Sequence, residues 1–88
     1  MKQLQRVFRA LANRRRMEIV RMLLERKEMS VGTIAKVLKL SLPATSRHLY
    51  ALSQADFLES RQEGLTIFYR ITDSPDTRIR TILKLMAG

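Results

Sequence analysis

Ser30-Val31-Gly32-Thr33-Ile34-Ala35-Lys36-Val37-Leu38-Lys39-Leu40-Ser41-Leu42-Pro43-Ala44-Thr45-Ser46-Arg47-His48-Leu49-Tyr50-Ala51-Leu52 is the stretch whose reading decides the fold. Val31, Ile34, Ala35 and Leu38 recur at helical spacing behind Ser30, a residue type that accepts from the free N–H groups of a helix start. Ser41 opens a second helix, with Pro43 in its first turn, where a missing N–H costs little. Thr45, Leu49 and Leu52 line one side of that helix. The two helices, about eight and thirteen residues long, are joined only by Lys39-Leu40-Ser41. A helix pair with so tight a turn is a helix-turn-helix unit, whose second helix can enter the major groove of DNA.

Outward from this unit the chain keeps the helical period on its N-terminal side. Leu4, Val7, Phe8 and Leu11 mark one face of a first helix over residues 3–12. Asn13 caps a second helix from Arg14 to about Arg26, with Met17, Val20, Leu23 and Leu24 as its apolar positions. On the C-terminal side the period changes to that of strands. Phe57–Glu63 and Thr66–Ile71 are two short strand-like runs around Gly64-Leu65, which predicts a β-hairpin. Ser74-Pro75-Asp76 predicts the start of a last helix over residues 75–87, with Ser74 as cap and an apolar stripe of Ile79, Ile82, Leu83 and Met86. The expected architecture is mainly α with a β-hairpin, a winged helix-turn-helix in the order α-α-α-α-β-β-α, forming one domain over residues 1–88.

Composition narrows the partners. The 88 residues carry 17 Lys and Arg against eight Asp and Glu, a net charge of +9. Such a field attracts polyanions, nucleic acid first and an anionic membrane surface second. The apolar stripes are needed for a core and a dimer, so no membrane partner is expected. Cysteine is absent, which removes disulfides and thiol chemistry. A chain this short gains stability most simply by oligomerising. Its apolar runs are short and no signal-peptide core stands at its start, so a cytoplasmic location is the expectation. There is no Gly-rich phosphate loop, no Ser–His–acid set and no convergent carboxylate pair, so no enzyme is expected.

Projection of the fourth helix at about 100° per residue puts Thr45, His48, Leu49 and Leu52 on the core side. Pro43, Ser46, Arg47, Tyr50 and Gln54 point away. Arg47 has the bidentate geometry that reads guanine, Ser46 suits a base or a phosphate, Tyr50 a phosphate, and Leu42 a thymine methyl. Ser41, Leu42, Pro43, Ser46, Arg47 and Tyr50 are therefore candidate DNA contacts. Arg14-Arg15-Arg16 places three cations in the first turn of a helix, against the macrodipole. A phosphate at that end would offset the repulsion, which adds Arg14 and Arg15 to the candidates. The bland readings of these residues are a solvated polar face and solvated arginines. His48, beside the core side, reads as a packed histidine, and Met17, Met22, Met29 and Met86 as core filling.

These residues carry a resemblance. Leu11-Ala12-Asn13-Arg14-Arg15-Arg16-Met17-Glu18-Ile19-Val20 is similar to the entry of the second helix in the ArsR/SmtB family of repressors. Leu40-Ser41 followed by Thr45-Ser46-Arg47-His48-Leu49 resembles that family's recognition helix, and Phe57-Leu58, Arg61-Gln62-Glu63-Gly64 and Ile67-Phe68-Tyr69-Arg70-Ile71 its wing. The match runs in order over roughly residues 4–72. It implies a homodimer joined through the first and last helices, with Leu4, Val7, Phe8, Leu11, Ile79, Ile82, Leu83 and Met86 at the interface, and one recognition helix per subunit on a two-fold operator. Arg16 matches an arginine common in the family; its bland reading is a structural partner to a carboxylate.

Three departures qualify what carries over. Many relatives have Gln-Ser where this chain has Leu42-Pro43. The residue after the wing glycine is Leu65 rather than Arg or Lys, which leaves Arg61 and Arg70 as the wing's candidate DNA contacts. Metal-sensing relatives carry cysteines in the third helix or His and acidic ligands in the last; here the corresponding stretch is Met29-Ser30-Val31-Gly32, and the last helix has no histidine. A transition-metal site needs several converging N or S ligands, so no metal response and no cofactor are expected. Asp73 and Asp76 read as a solvated helix entry. The expected function is sequence-specific binding of double-stranded DNA by a homodimeric repressor whose effector the sequence does not name. The alternative is a winged-helix module that binds protein or RNA.

Overall fold

The computed structural model describes residues 2–88, with side chains from Leu4 onward. The order is α1 (Lys2–Leu11), α2 (Arg14–Arg26), β1 (Glu28–Ser30), α3 (Val31–Leu38), α4 (Leu42–Gln54), β2 (Leu58–Glu63), β3 (Thr66–Ile71) and α5 (Thr77–Ala87). This is the winged helix-turn-helix order, with one short strand more than the sequence reading contained.

Polar caps set the helix starts. The Asn13 side chain accepts from the Arg16 amide at 3.2 Å, Ser30 from Thr33 at 3.1 Å and Ser41 from Ala44 at 3.2 Å. Each satisfies one of the donors that a helix start leaves free. The last helix corrects the expectation. Its cap is Asp76, which accepts from the Ile79 amide at 3.0 Å, so the helix begins two residues later than Ser74 and Pro75 suggested. Asp caps as well as Ser and adds a negative charge at the positive helix end, so the aspartate prevails. Asp76 is therefore a cap, not a solvated entry residue.

The core gathers around α2, which packs against α1, α4, α5, β1 and β3. Ile19, Val20 and Leu23 of this helix meet Ile34, Leu38, Leu49, Leu52, Phe57 and Ile79, all fully or almost fully buried. Met29 is buried, and Met22 and Met86 pack partly against the core. Met17 is a correction: it stands in solvent, and the neighbouring Ile19 takes the core position instead. With partners packed around it, α2 buries a wider arc than a single stripe.

The sheet is antiparallel in the order β1-β3-β2. Glu63 pairs with Thr66 across Gly64-Leu65, and Gly64 has φ +62°. A positive φ at the first of two turn residues suits the right-handed twist of a hairpin, and glycine adopts it without strain. β2 starts at Leu58 rather than Phe57. Phe57 instead locks the wing to the helices: its amide donates to the Leu52 carbonyl and its carbonyl accepts from the Thr72 amide.

Candidate nucleic-acid interface

The inner face of α4 is anchored first. Thr45, Leu49 and Leu52 are completely buried, and the Thr45 hydroxyl donates to the Ser41 carbonyl at 2.9 Å. Because the helix turns about 100° per residue, this leaves Leu42, Pro43, Ser46, Arg47 and Tyr50 exposed along the opposite face, with Ser41 exposed at its start. Among the described residues Arg47 has no carboxylate partner. Its five N–H donors are available for a ligand.

The start of α2 lies beside this helix. Arg16 donates from Nε to Nδ1 of His48 at 3.2 Å and from a terminal nitrogen to the Ala10 carbonyl at 3.4 Å. Its partners are thus an imidazole and a carbonyl, which corrects the bland reading of a carboxylate partner. The bond ties the end of α1, the start of α2 and the middle of α4 together. His48 is half-buried, and its pKa lies below the ordinary value of 6.5, through burial first and then the charges of Arg16, Arg47 and Arg15. That these arginines all act on one imidazole places the start of α2 and the outer face of α4 in one basic cluster. Arg14 and Arg15 lean on Glu18 at 3.5 and 3.7 Å, with the Arg14 side chain 92% exposed. Such loose surface pairs contribute little to stability and break readily for a better anion.

The wing is built differently. Arg61 makes a bidentate contact with Glu28 of β1 at 2.8 and 3.0 Å, reaches Glu63 at 2.7 Å and stacks 4.4 Å from the centre of the Phe68 ring. The hydrogen bonds it donates to Glu28 and Glu63 raise its pKa further, and the bond Glu28 accepts lowers that of Glu28. Arg70 contacts Glu59 at 2.8 Å and Asp73 at 3.3 Å. Glu59 also accepts from the Thr72 hydroxyl and the Asp73 amide, which hold its pKa down. Both wing arginines are thus engaged within the sheet, and Asp73, still 73% exposed as a solvated residue would be, also pairs with Arg70. The signal for Arg61 was Glu28, in a strand too short to show a period in the sequence.

The proposed dimer residues divide into two groups. Val7, Ile79 and Leu83 are buried in the subunit's own core, so they correct the expectation of an interface role. Leu4, Leu11, Ile82 and Met86 are half-buried and Phe8 is 57% exposed. Leu85, which the sequence reading passed over because it falls off the Ile79/Leu83 stripe, is 77% exposed. Among the described residues no three His, Cys, Asp or Glu side chains gather into a metal-binding group, and no helix is long and apolar enough to cross a membrane.

Comparison with known proteins agrees with this geometry. A family model described as a helix-turn-helix domain matches residues 6–61. The transcriptional activator HlyU of Vibrio cholerae is 35% identical over 80 residues, 91% of this chain and 70% of HlyU. Its solved structure superposes with a TM-score of 0.82 at 33% identity, covering 97% of this chain and 88% of that one. The regulator KmtR of Mycobacterium tuberculosis is 40% identical over 65 residues, 74% of this chain but only 49% of KmtR. A homodimeric winged helix-turn-helix DNA-binding domain from Mycobacterium bovis, a possible ArsR-family regulator, has a TM-score of 0.81 at 33% identity, covering 96% and 74% of the two chains.

The His48 bond makes a pH prediction. The imidazole must be neutral at Nδ1 to accept from Arg16, and its folded pKa lies below the unfolded one. The stability it contributes is therefore fully present above about pH 6.5 and is lost as pH falls through the folded value. Urea midpoints should drop for the wild type between pH 7 and pH 5, while His48→Gln, which keeps an acceptor and removes the titration, should show a flatter profile. Parallel profiles for the two proteins would contradict this assignment.

Proposed function

The chain belongs to the ArsR-type winged helix-turn-helix family of DNA-binding transcriptional regulators, and on that premise we propose that it is a cytoplasmic homodimeric repressor that binds a two-fold operator. One observation supports this above the rest: Arg47, free of carboxylates on the outer face of α4, shares a basic cluster with Arg15 and Arg16 at the start of α2. The helix face reads bases and the α2 end takes phosphate, which offsets the repulsion between three arginines and the helix dipole.

Charge distribution fits the same picture. Residues 1–57 carry twelve Lys and Arg against four Asp and Glu, so the helical part supplies most of the field that draws in a duplex. In this proposal Arg47 and Ser46 set sequence preference, and Tyr50, Arg14 and Arg15 fix the protein on the backbone. Arg61 and Arg70 contribute by holding the wing in shape. The dimer forms through Phe8 and Leu85 together with the half-buried Leu4, Leu11, Ile82 and Met86, since large apolar side chains left in water on α1 and α5 are what a partner helix covers. Two recognition helices then meet half-sites about 10–10.5 bp apart or a multiple of that. Release from DNA is independent of transition metals, and the protein has no catalytic activity.

Anisotropy titrations on a duplex enriched from a random library test this reading. Arg47→Ala should lose about 1–3 kcal/mol of preference for the enriched site over a scrambled one. Arg14→Ala and Arg15→Ala should weaken binding to both duplexes alike and reduce the salt slope by about 0.9 for each phosphate no longer neutralised. Added Zn²⁺ should leave the affinity unchanged. Absence of any enriched sequence would contradict the proposal. For the dimer, Phe8→Glu with Leu85→Glu should sediment as a folded monomer of weakened DNA affinity; a native dimer would refute the assigned interface.

A further inference from the structure

A slot of about 410 Å³ opens between the start of α3, the first turn of α4 and the tip of the β2–β3 hairpin. Its apolar walls are Val31, Leu42, Leu65 and Ile67, and Ser46 and Thr66 bring hydroxyls to it. Leu42 is 57% exposed, Ile67 40% and Leu65 100%. Isolated exposed leucines are ordinary, but three large apolar side chains converging on one opening mark a contact surface.

Resting on the DNA-binding reading above, we propose that this slot receives the C5-methyl edge of a thymine in duplex DNA, with Leu42 and Leu65 as specificity-determining residues. The slot shares Ser46 with the outer face of α4, so it is continuous with the surface that carries Arg47.

Charge decides what the wing tip can do there. Residues 58–73 hold two arginines against three carboxylates, a net −1, and both arginines are ion-paired. The wing brings no unpaired cation to a phosphate, so its contact with DNA is apolar. Among the groups that base pairs display in the major groove, the thymine methyl is the apolar one. An apolar wall beside the reading helix thus selects thymine at the facing position, where a polar side chain at residue 42 would accept several bases.

Replacing thymine by deoxyuridine removes that methyl and nothing else. In the enriched duplex each thymine is exchanged singly, and binding is measured for the wild type and for Leu42→Ala/Leu65→Ala, whose sites are exposed and whose fold is checked by circular dichroism. The wild type should lose about fourfold at one thymine per half-site, what ~0.8 kcal/mol for one buried methyl converts to. The double variant should be insensitive at the same thymine. A wild type that binds well yet tolerates every exchange, or an enriched half-site without thymine, overturns the slot while leaving the DNA-binding reading intact. Equal sensitivity in wild type and variant also overturns it. Failure to enrich any duplex overturns the DNA-binding reading, and the slot with it.

Discussion

The rotational setting of α4 is the constraint on which the rest depends. Thr45, Leu49 and Leu52 have no solvent exposure, and burying each of the two leucines is worth roughly 1.5–3 kcal/mol. A small domain has only about 5–15 kcal/mol of net stability. Turning the helix by a single residue would forfeit a large part of that and carry Ser46, Tyr50 and Ser53, or Ala44, His48 and Ala51, to the core side instead. The packing of one side therefore dictates which residues the other side offers. The outer face is selectable for base reading because the inner face is not free to move.

A second tie fixes the helix along its length. The bond from Arg16 to His48 joins α2 to α4 in a region where the charges of Arg15, Arg16 and Arg47 all act on the imidazole. Taken alone, this concentration of positive charge at a helix start is unfavourable. It becomes intelligible as the half of an interface whose other half is a polyanion. The wing shows the opposite solution. There the arginines are matched by Glu28, Glu59, Glu63 and Asp73, and charge is used for internal architecture, leaving an apolar tip. In the proposed reading, function is divided by chemistry: electrostatics on the helices, surface contact at the hairpin.

Much of this was legible in the sequence because the signals were local. Asn13, Ser30 and Ser41 sit where a cap must sit, and the Thr45/Leu49/Leu52 spacing can bury only one face. What escaped was non-local or too short to have a period. Glu28–Ser30 spans three residues and becomes a strand only because β3 runs beside it. Arg61 looked like a free wing cation because its main partner lies 33 positions away. Ser74 reads as the last cap where Asp76 serves, because Ser and Asp cap almost equally well and only the fold chooses between them. Val7, Ile79 and Leu83 belong to the same stripes as the exposed apolar residues, and periodicity does not tell a core from a dimer face. Leu85 was invisible for the converse reason, being apolar off the stripe.

The central claim is that the outer face of α4, fixed by its buried side and flanked by the start of α2, meets DNA. Amide chemical-shift mapping with the enriched duplex tests it most directly, because it reads every residue at once without mutation. The account predicts the largest changes from Leu42 to Tyr50 and at Arg14 and Arg15, with the core of α2 unmoved. Perturbations confined to α1 and α5, with α4 silent, would contradict it.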